Sequence, residues 1–455
     1  MVNVNENVIF LILKELENDN QTLFSCLLVN KIWCGTTVPI LWKNPLKKSY
    51  LTKVTSDILL NVILSHSSEE SRNNLKNQGI DLFIIKKYKL PLFNYISFWK
   101  HLNDHFLDFL LRINIEKSKI TIVRNEILNL INANTEIISI SFQLFTNCSI
   151  VSNILERLTI KNTLIKKLRF VINENVPGIT RLIEVQKNLK EVNFFCGYIS
   201  DNATYRKTLE ESLTQCADTL QYLRIEWKPI TNHLSNLVNL VSLKIKDSYK
   251  MNSTNWSYLR NLSLPHLKFL NACDIPVYII TSLIKNANGN LSEINILNEN
   301  GYVDEKLIRA IYQNCPNLSY LRLQLICHND ILEFENILIN CRFLTGLEII
   351  GTSDRFNWDE FFIVLERSSP INLFKFGFYY NNVTSIHQPI ISFISKWMNR
   401  QPMILQTVSI RYKPQLQEIL ETQIQSHKEG AIKKYSHYCG AMYLLWSWSL
   451  FLDTN

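Results

Sequence analysis

Glycine and proline are scarce in this sequence, 11 and 12 residues of 455, which leaves little room for long disordered stretches. Neither sign of charge dominates. Against 40 acidic residues stand 48 basic ones, a net charge of +8, and no basic block reaches the length of a nucleic-acid-binding arm. Lys47-Lys48, Lys86-Lys87 and Lys433-Lys434 read as solvated faces. The ten cysteines include no Cys-x-x-Cys pair and fit reduced, mostly buried thiols better than a disulfide or zinc framework. No charged start leads into an apolar run with a small-residue cleavage site. An intracellular protein of the cytoplasm or nucleus is therefore expected, with the Asn-x-Ser/Thr triplets at Asn202, Asn261 and Asn317 accidents of an Asn-rich composition. The apolar tail from Gly440 to Leu452 is too short to span a bilayer; it reads as a cap, with a membrane-surface or partner contact through Trp446 and Trp448 as the other reading. Glycine-rich phosphate loops and nucleophile elbows are missing too. The nine histidines are scattered, so no catalytic role and no cofactor are expected. His101 and His105 have the spacing of one helical turn, but Leu stands where a zinc protease needs Glu and no third ligand is near, so no metal is expected either.

What the chain does have is 46% hydrophobic content against 19% charge, placed periodically. Near the start, Val8, Ile9, Ile12, Leu13 and Leu16 recur at helical spacing and predict one amphipathic helix. After the turn formers Asn18 to Gln21, the stripe Leu23, Cys26, Leu27, Asn30 and Trp33 predicts a second. Pro39 is read near the start of a third, which carries Leu41 and Trp42 and ends at Asn44-Pro45. Three helices in roughly 40 residues enclose little core, so part of this apolar surface is expected to meet a partner.

These residues resemble an F-box, the module that plugs substrate receptors into Skp/cullin/F-box ubiquitin ligases. Val8, Ile12, Leu16, Leu23, Val29, Trp33, Leu41 and Trp42 match the family's apolar positions. Val4-Asn5 stand where the family opens with Leu-Pro, and Asn7 stands at its acidic position. The resemblance covers about a tenth of the chain and implies adaptor binding through Val4, Val8, Ile12, Leu16, Leu23, Val29, Trp33, Leu41 and Trp42.

From Ile137 onward a second pattern, apolar-x-x-apolar-x-apolar, recurs. Its units begin at Ile137, Ile165, Leu189, Leu220, Leu240, Leu267, Leu291, Leu318, Leu344, Leu373 and Leu405, separated by 20 to 32 residues, close to the period of leucine-rich repeats. Each apolar-x-apolar trio alternates like a strand with one buried face. Helical stripes lie between them, such as Val277 to Ile284, Glu305 to Tyr312 and Asp359 to Leu365. A strand-plus-helix unit this short buries its apolar face only against its neighbours, which predicts a solenoid. Cys315 and Cys341, each three residues ahead of a strand's first Leu, resemble the cysteine-containing repeats of F-box proteins, where the thiol is a small buried filler.

The expected fold is α/β: an N-terminal three-helix F-box at 1–46, a helical connector at 47–134, leucine-rich repeats at 135–412 with a parallel inner sheet and outer helices, and a cap and apolar tail at 413–455. The expected function is a non-catalytic substrate receptor of a ubiquitin ligase complex. Its partners would be a Skp-type adaptor, a cullin scaffold and a protein substrate, acidic or phosphorylated, with no nucleic acid or membrane. The other reading is a repeat scaffold without ligase association. A nucleic-acid surface is disfavoured because Glu191, Glu293 and Glu348 interrupt the basic positions. Substrate is expected on the strand positions that point away from the core, through Arg169, Tyr222, Arg224, Lys244, Phe269, Tyr320 and Arg322. Aromatic and Arg side chains dominate interfaces, and Arg's planar fork matches carboxylate or phosphate.

Overall fold

The computed structural model describes residues 5–45, 52–80, 91–132, 136–143, 148–161, 163–196, 203–248, 256–298, 303–353, 355–411, 414–426 and 428–439. Two compact units divide the chain, Met1–Leu220 and Gln221–Asn455.

The first unit opens with α1 (Glu6–Glu15), α2 (Asn20–Cys26) and α3 (Lys31–Trp42). Asparagine and aspartate set the starts. The side chain of Asn5 accepts from the Asn7 N–H, Asp19 from Thr22, and Asn30 from both Ile32 and Trp33, each satisfying helix-terminal donors that would otherwise lack a partner. Asn30 thus ends the stripe that looked like one helix from Leu23 to Trp33. As a cap it is the break between two helices. Pro39 lies inside α3 rather than near a helix start. The N–H that proline lacks would have bonded the carbonyl of Gly35, and the side-chain hydroxyls of Thr36 and Thr37 bond the Ile32 and Trp33 carbonyls just before it.

Next come α4 (Lys53–Leu64), α5 (Glu69–Asn77), β1 (His101–Asn103), α6 (Asp104–Asn114), α7 (Ile120–Asn132), β2 (Ser139–Gln143), α8 (Cys148–Lys161), β3 (Lys167–Ile172), α9 (Gly178–Glu184), β4 (Glu191–Cys196) and α10 (Ala203–Leu213). β1 pairs in parallel with β2, β2 with β3 and β3 with β4. Repeat architecture therefore begins one unit before the sequence pattern does. In register, Leu102 stands beside Ile140, and Asp104 occupies the last apolar position of that unit. Asp104 is buried and held by the Arg124 guanidinium at 2.5 Å, so an ion pair fills the place of a core side chain. His101 sits in β1 and His105 in α6, so the two are not one helical turn apart.

The second unit holds β5 (Tyr222–Ile225), β6 (Ser242–Lys246), α11 (Ser257–Arg260), β7 (Phe269–Cys273), α12 (Val277–Lys285), β8 (Glu293–Leu297), α13 (Glu305–Asn314), β9 (Tyr320–Gln324), α14 (His328–Asn340), β10 (Gly346–Gly351), α15 (Trp358–Ser368), β11 (Lys375–Tyr380), α16 (Val383–Trp397), β12 (Met403–Ser409), α17 (Pro414–Ser426), α18 (Lys428–Ala431) and β13 (Ile432–Cys439). Its strands run parallel, each beside the next in chain order. This strand–helix alternation, with parallel neighbours in chain order, is a leucine-rich-repeat-like solenoid.

The repeat leucines fill the core as the pattern requires. Leu291, Ile294 and Ile296, then Leu318, Leu321 and Leu323, then Leu344, Leu347 and Ile349 are buried. Between units, Ser292, Ser319 and Thr345, each just after a first Leu, donate their hydroxyls to carbonyls of Lys268, Ser292 and Ser319. Cys315 and Cys341 are buried, and burial pushes both thiols up to about 12. The last unit of the pattern is displaced. Leu405 pairs with Phe376, so the unit begins at 402, three residues earlier than its Leu suggests. Val408 then points to the opposite face, where it packs on Ile350 and Tyr379. One more strand follows at β13, where Tyr435 and His437 take the core-facing register positions beside Leu405 and Thr407.

Leu321→Ala or Leu347→Ala is expected to cost about 2–5 kcal/mol, the usual range for emptying a packed site. In a nearest-neighbour array the loss stays local. Hydrogen exchange should rise in β8 to β11 and not in α1 to α3.

Candidate docking module and sheet face

The three-helix module divides its apolar residues into an inside and an outside. Ile9, Leu13, Leu23 and Cys26 are buried together, with Leu16, Trp33, Ile40 and Leu41 packed partly against them. Val8 (45% exposed), Leu11 (61%), Ile12 (46%), Leu28 (88%) and Val29 (57%) face outward, with Phe24 and Ile32 also exposed. On α1 the two sets interleave at helical spacing, so Val8, Leu11 and Ile12 share one face while Ile9 and Leu13 share the other.

The nine positions singled out in the sequence therefore separate. Val8, Ile12 and Val29 are on the surface. Leu16, Trp33 and Leu41 lie at the core's margin. Leu23 is buried, because a unit this small needs it to fold at all; as a docking residue it is corrected. Trp42 stacks on Tyr95, ring centroids 4.5 Å apart at 35°, which commits one face of its ring within its own chain. Val4 lies outside the described residues. Sequence reasoning missed Leu11, Phe24, Leu28 and Ile32. The signal was there in the uninterrupted Leu27-Leu28-Val29 ahead of the Asn30 cap, since such a run in a turn has no helix face to hide on.

The module is seated on the repeats of its own unit. The Lys100 N–H donates to the Lys43 carbonyl at 2.9 Å, and Lys43 pairs with Glu17 at 2.7 Å. Lys100 pairs with Glu136. These groups, with Phe10, Pro39, Ile40 and Phe98, line a cavity of about 550 Å³.

On the strands, the face turned away from the repeat leucines is exposed early and buried late. In the first unit Lys167 and Arg169 are exposed, Lys167 pairing with Glu191 at 2.9 Å and Arg169 lying over the Phe195 ring at 4.3 Å. At the start of the second unit Tyr222 is exposed, while Lys244 and Phe269 are half-buried. Arg224 is half-buried and its guanidinium is engaged by Glu226 at 2.5 Å. Glu293 is raised from the ordinary carboxylate range by burial, against the pull of Lys244 and Lys375.

Tyr320 and Arg322 are corrected: both are buried, Arg322 to 1% exposure. Two glycines explain how charged and aromatic groups lie flat there. Gly346 stands beside Tyr320 in register and Gly377 beside Glu348. A Cβ on Gly346 would come within 2.8 Å of the Tyr320 ring, and one on Gly377 within 2.6 Å of Glu348 Cγ. The neighbours lean into those gaps. Arg322 Nε is 3.4 Å from Glu348 Oε2, its guanidinium lies 4.7 Å from the Tyr379 ring centre, and the Tyr379 hydroxyl donates to Glu348 Oε2 at 2.8 Å. Ile350, Tyr379 and Val408, with Leu297 and Tyr438, form an apolar cluster on the same face. Arg322 is thus part of an internal network rather than a free fork for a ligand.

Among the described residues no group of three or more His, Cys, Asp or Glu is placed to hold a metal ion, and no helix is long and apolar enough to cross a membrane.

The fold and the surface define a class: a leucine-rich-repeat-like α/β solenoid whose first unit carries a three-helix module with an apolar exterior. No family model matches the chain, and no curated protein matches it. Among solved structures, a chain in the crystal structure of the yeast Rad7 and Elc1 complex is similar, at 15% sequence identity and a TM-score of 0.42, over 84% of this chain and 87% of that chain. The strand register and the buried cores carry the fold assignment.

Proposed function

We propose that this chain is a substrate-recognition subunit of a Skp/cullin/F-box ubiquitin ligase. Its three-helix module docks on a Skp-type adaptor, which links it to the cullin, and the solenoid's sheet face binds a protein substrate. The observation that supports this is the division of the module: its core is complete without Val8, Leu11, Ile12, Leu28 and Val29, which remain exposed. Apolar surface of this kind marks an interaction site. Asn5, standing where the F-box family has proline, caps α1 through its side chain. The protein itself does no chemistry on the substrate; it holds it near the ubiquitin-loaded enzyme and raises its effective concentration there.

Co-purification from cells tests the assignment. Recovery of a Skp-type adaptor and a cullin supports it, and their absence favours the repeat scaffold without ligase association.

Each unit offers substrate its own residues that remain exposed or half-exposed: Arg169 on the first, and Tyr222, Lys244 and Phe269 on the second. The basic members favour an acidic or phosphorylated target. Arg169→Glu is expected to leave adaptor binding intact and to deplete the substrate set captured by proximity labelling. An unchanged set would remove Arg169 from the substrate surface.

A further inference from the structure

Within the second unit, the sheet face turned away from the repeat leucines is sealed over its last strands. Ile350, Tyr379 and Val408 stand side by side in register on β10, β11 and β12, at 0–1% exposure. Side chains on a strand stand roughly perpendicular to the sheet. Neighbours in the plane flank them and leave their tips open, so a further layer lies over these three. The members at the margins, Leu297 on β8 and Tyr438 on β13, are only partly buried.

Two amides on the same face point to what that layer is made of. Gln324 stands beside Ile350, and Gln406 lies on β12 two residues before Val408. Gln324 Oε1 and Gln406 Nε2 are buried with no hydrogen-bond partner among the described residues. One asks for a donor and the other for an acceptor, and a peptide backbone supplies both in every residue other than proline.

The chain itself leaves the sheet at this spot. Tyr438 is beside Val408 at the edge of the patch, and β13 ends one residue later at Cys439. Gly440 to Leu452, outside the described residues, follows directly. Ten of its 13 residues are hydrophobic and none is charged, which matches an apolar patch. By contrast the segments 249–255 and 299–302, which come after β6 and β8, are mostly polar. Reach is sufficient as well. With strands about 4.8 Å apart, the patch runs about 24 Å from β13 to β8; thirteen residues reach about 20 Å as a helix and about 43 Å extended.

We propose that the apolar tail, Gly440 to Leu452, folds back across the sheet face of its own unit and seats on Ile350, Tyr379 and Val408. The tail is then a built-in plug: it closes the late strands, where Tyr320 and Arg322 are also buried, and leaves the Tyr222 end of the face open. The seat does not depend on the ligase reading, and its test involves neither adaptor nor substrate.

The test uses the 455-residue chain with the photo-crosslinker p-benzoylphenylalanine in place of Gln324, irradiated and mapped by mass spectrometry. Crosslinks are expected on peptides from 440–452, in species with the mass of one chain. A second measurement needs no crosslinker. In hydroxyl-radical footprinting Tyr379 should be protected in the unaltered chain. Its oxidation should rise severalfold when Leu444→Asp, Trp446→Asp, Trp448→Asp and Leu450→Asp are combined, since charges on the tail oppose its burial. Tyr380, the next residue and turned to the opposite face, should stay protected, which separates loss of the plug from loss of the fold. Crosslinks that miss the tail or join two chains, or a Tyr379 rate unmoved by the four changes, would overturn the proposal.

Discussion

Aspartate in place of Val8 is expected to abolish co-purification of a Skp-type adaptor. The same change should leave the circular dichroism and melting of the chain as they were. Val8 is nearly half exposed and is not one of the residues that fill the module's interior, so a carboxylate there meets water when the chain is free. On docking it would have to be buried without a partner, a cost that few interfaces absorb. Truncations of central apolar or aromatic anchors commonly cost about 2 kcal/mol or more, roughly a 30-fold loss of affinity, and a buried charge exceeds that. Ile12→Asp should behave alike, one turn further along the same helix face. Ile9→Asp should not, because Ile9 sits in the core with Leu13 and Leu23; it should unfold the module and lose binding for that reason. Retained adaptor binding in Val8→Asp and Ile12→Asp would move the docking surface off α1.

Removing Arg322 is expected to be among the most destabilising changes in the second unit. Arg322→Met leaves Glu348 buried beneath Tyr379 without its counter-ion, and breaking a buried pair from one side costs about 3–5 kcal/mol. Replacing both members with apolar residues of similar volume should recover most of that loss, because the desolvation of two charges offsets much of their attraction. Chemical denaturation of Arg322→Met, Glu348→Leu and the double variant gives the comparison. A double variant as unstable as either single one would mean that packing at these positions, not charge compensation, sets the cost. Adaptor binding should be unaffected throughout.

The account of Arg322 shows what the sequence conveys and what it withholds. Period-two alternation placed Arg322 on the correct face of its strand, opposite the repeat leucines. It could not convey exposure, because that depends on which neighbours lean across. Gly346 and Gly377 create the space into which Tyr320 and Glu348 fold, and their role emerges only once register puts them side by side. The same limit applies to Leu23, whose apolar character alone does not tell a docking residue from a core residue.

Repeat units were legible wherever apolar side chains fill all the core positions. β1 escaped because Asp104 replaces one of them and is compensated by Arg124. β13 escaped because Tyr435 and His437 face the core there. At β12 the reading slipped by three residues, since Leu405 and Val408 are both buried but on opposite faces. In the first module the ambiguity was Asn30, which fits a helical stripe by position while acting as the cap that divides α2 from α3.

Titration calorimetry of the purified 455-residue chain with a purified Skp-type adaptor tests the central claim most directly. Saturable one-to-one binding with a negative heat-capacity change, the mark of apolar burial, lost on Val8→Asp, is the result expected. No binding by the correctly folded chain, or binding of equal strength in Val8→Asp and Ile12→Asp, would contradict it.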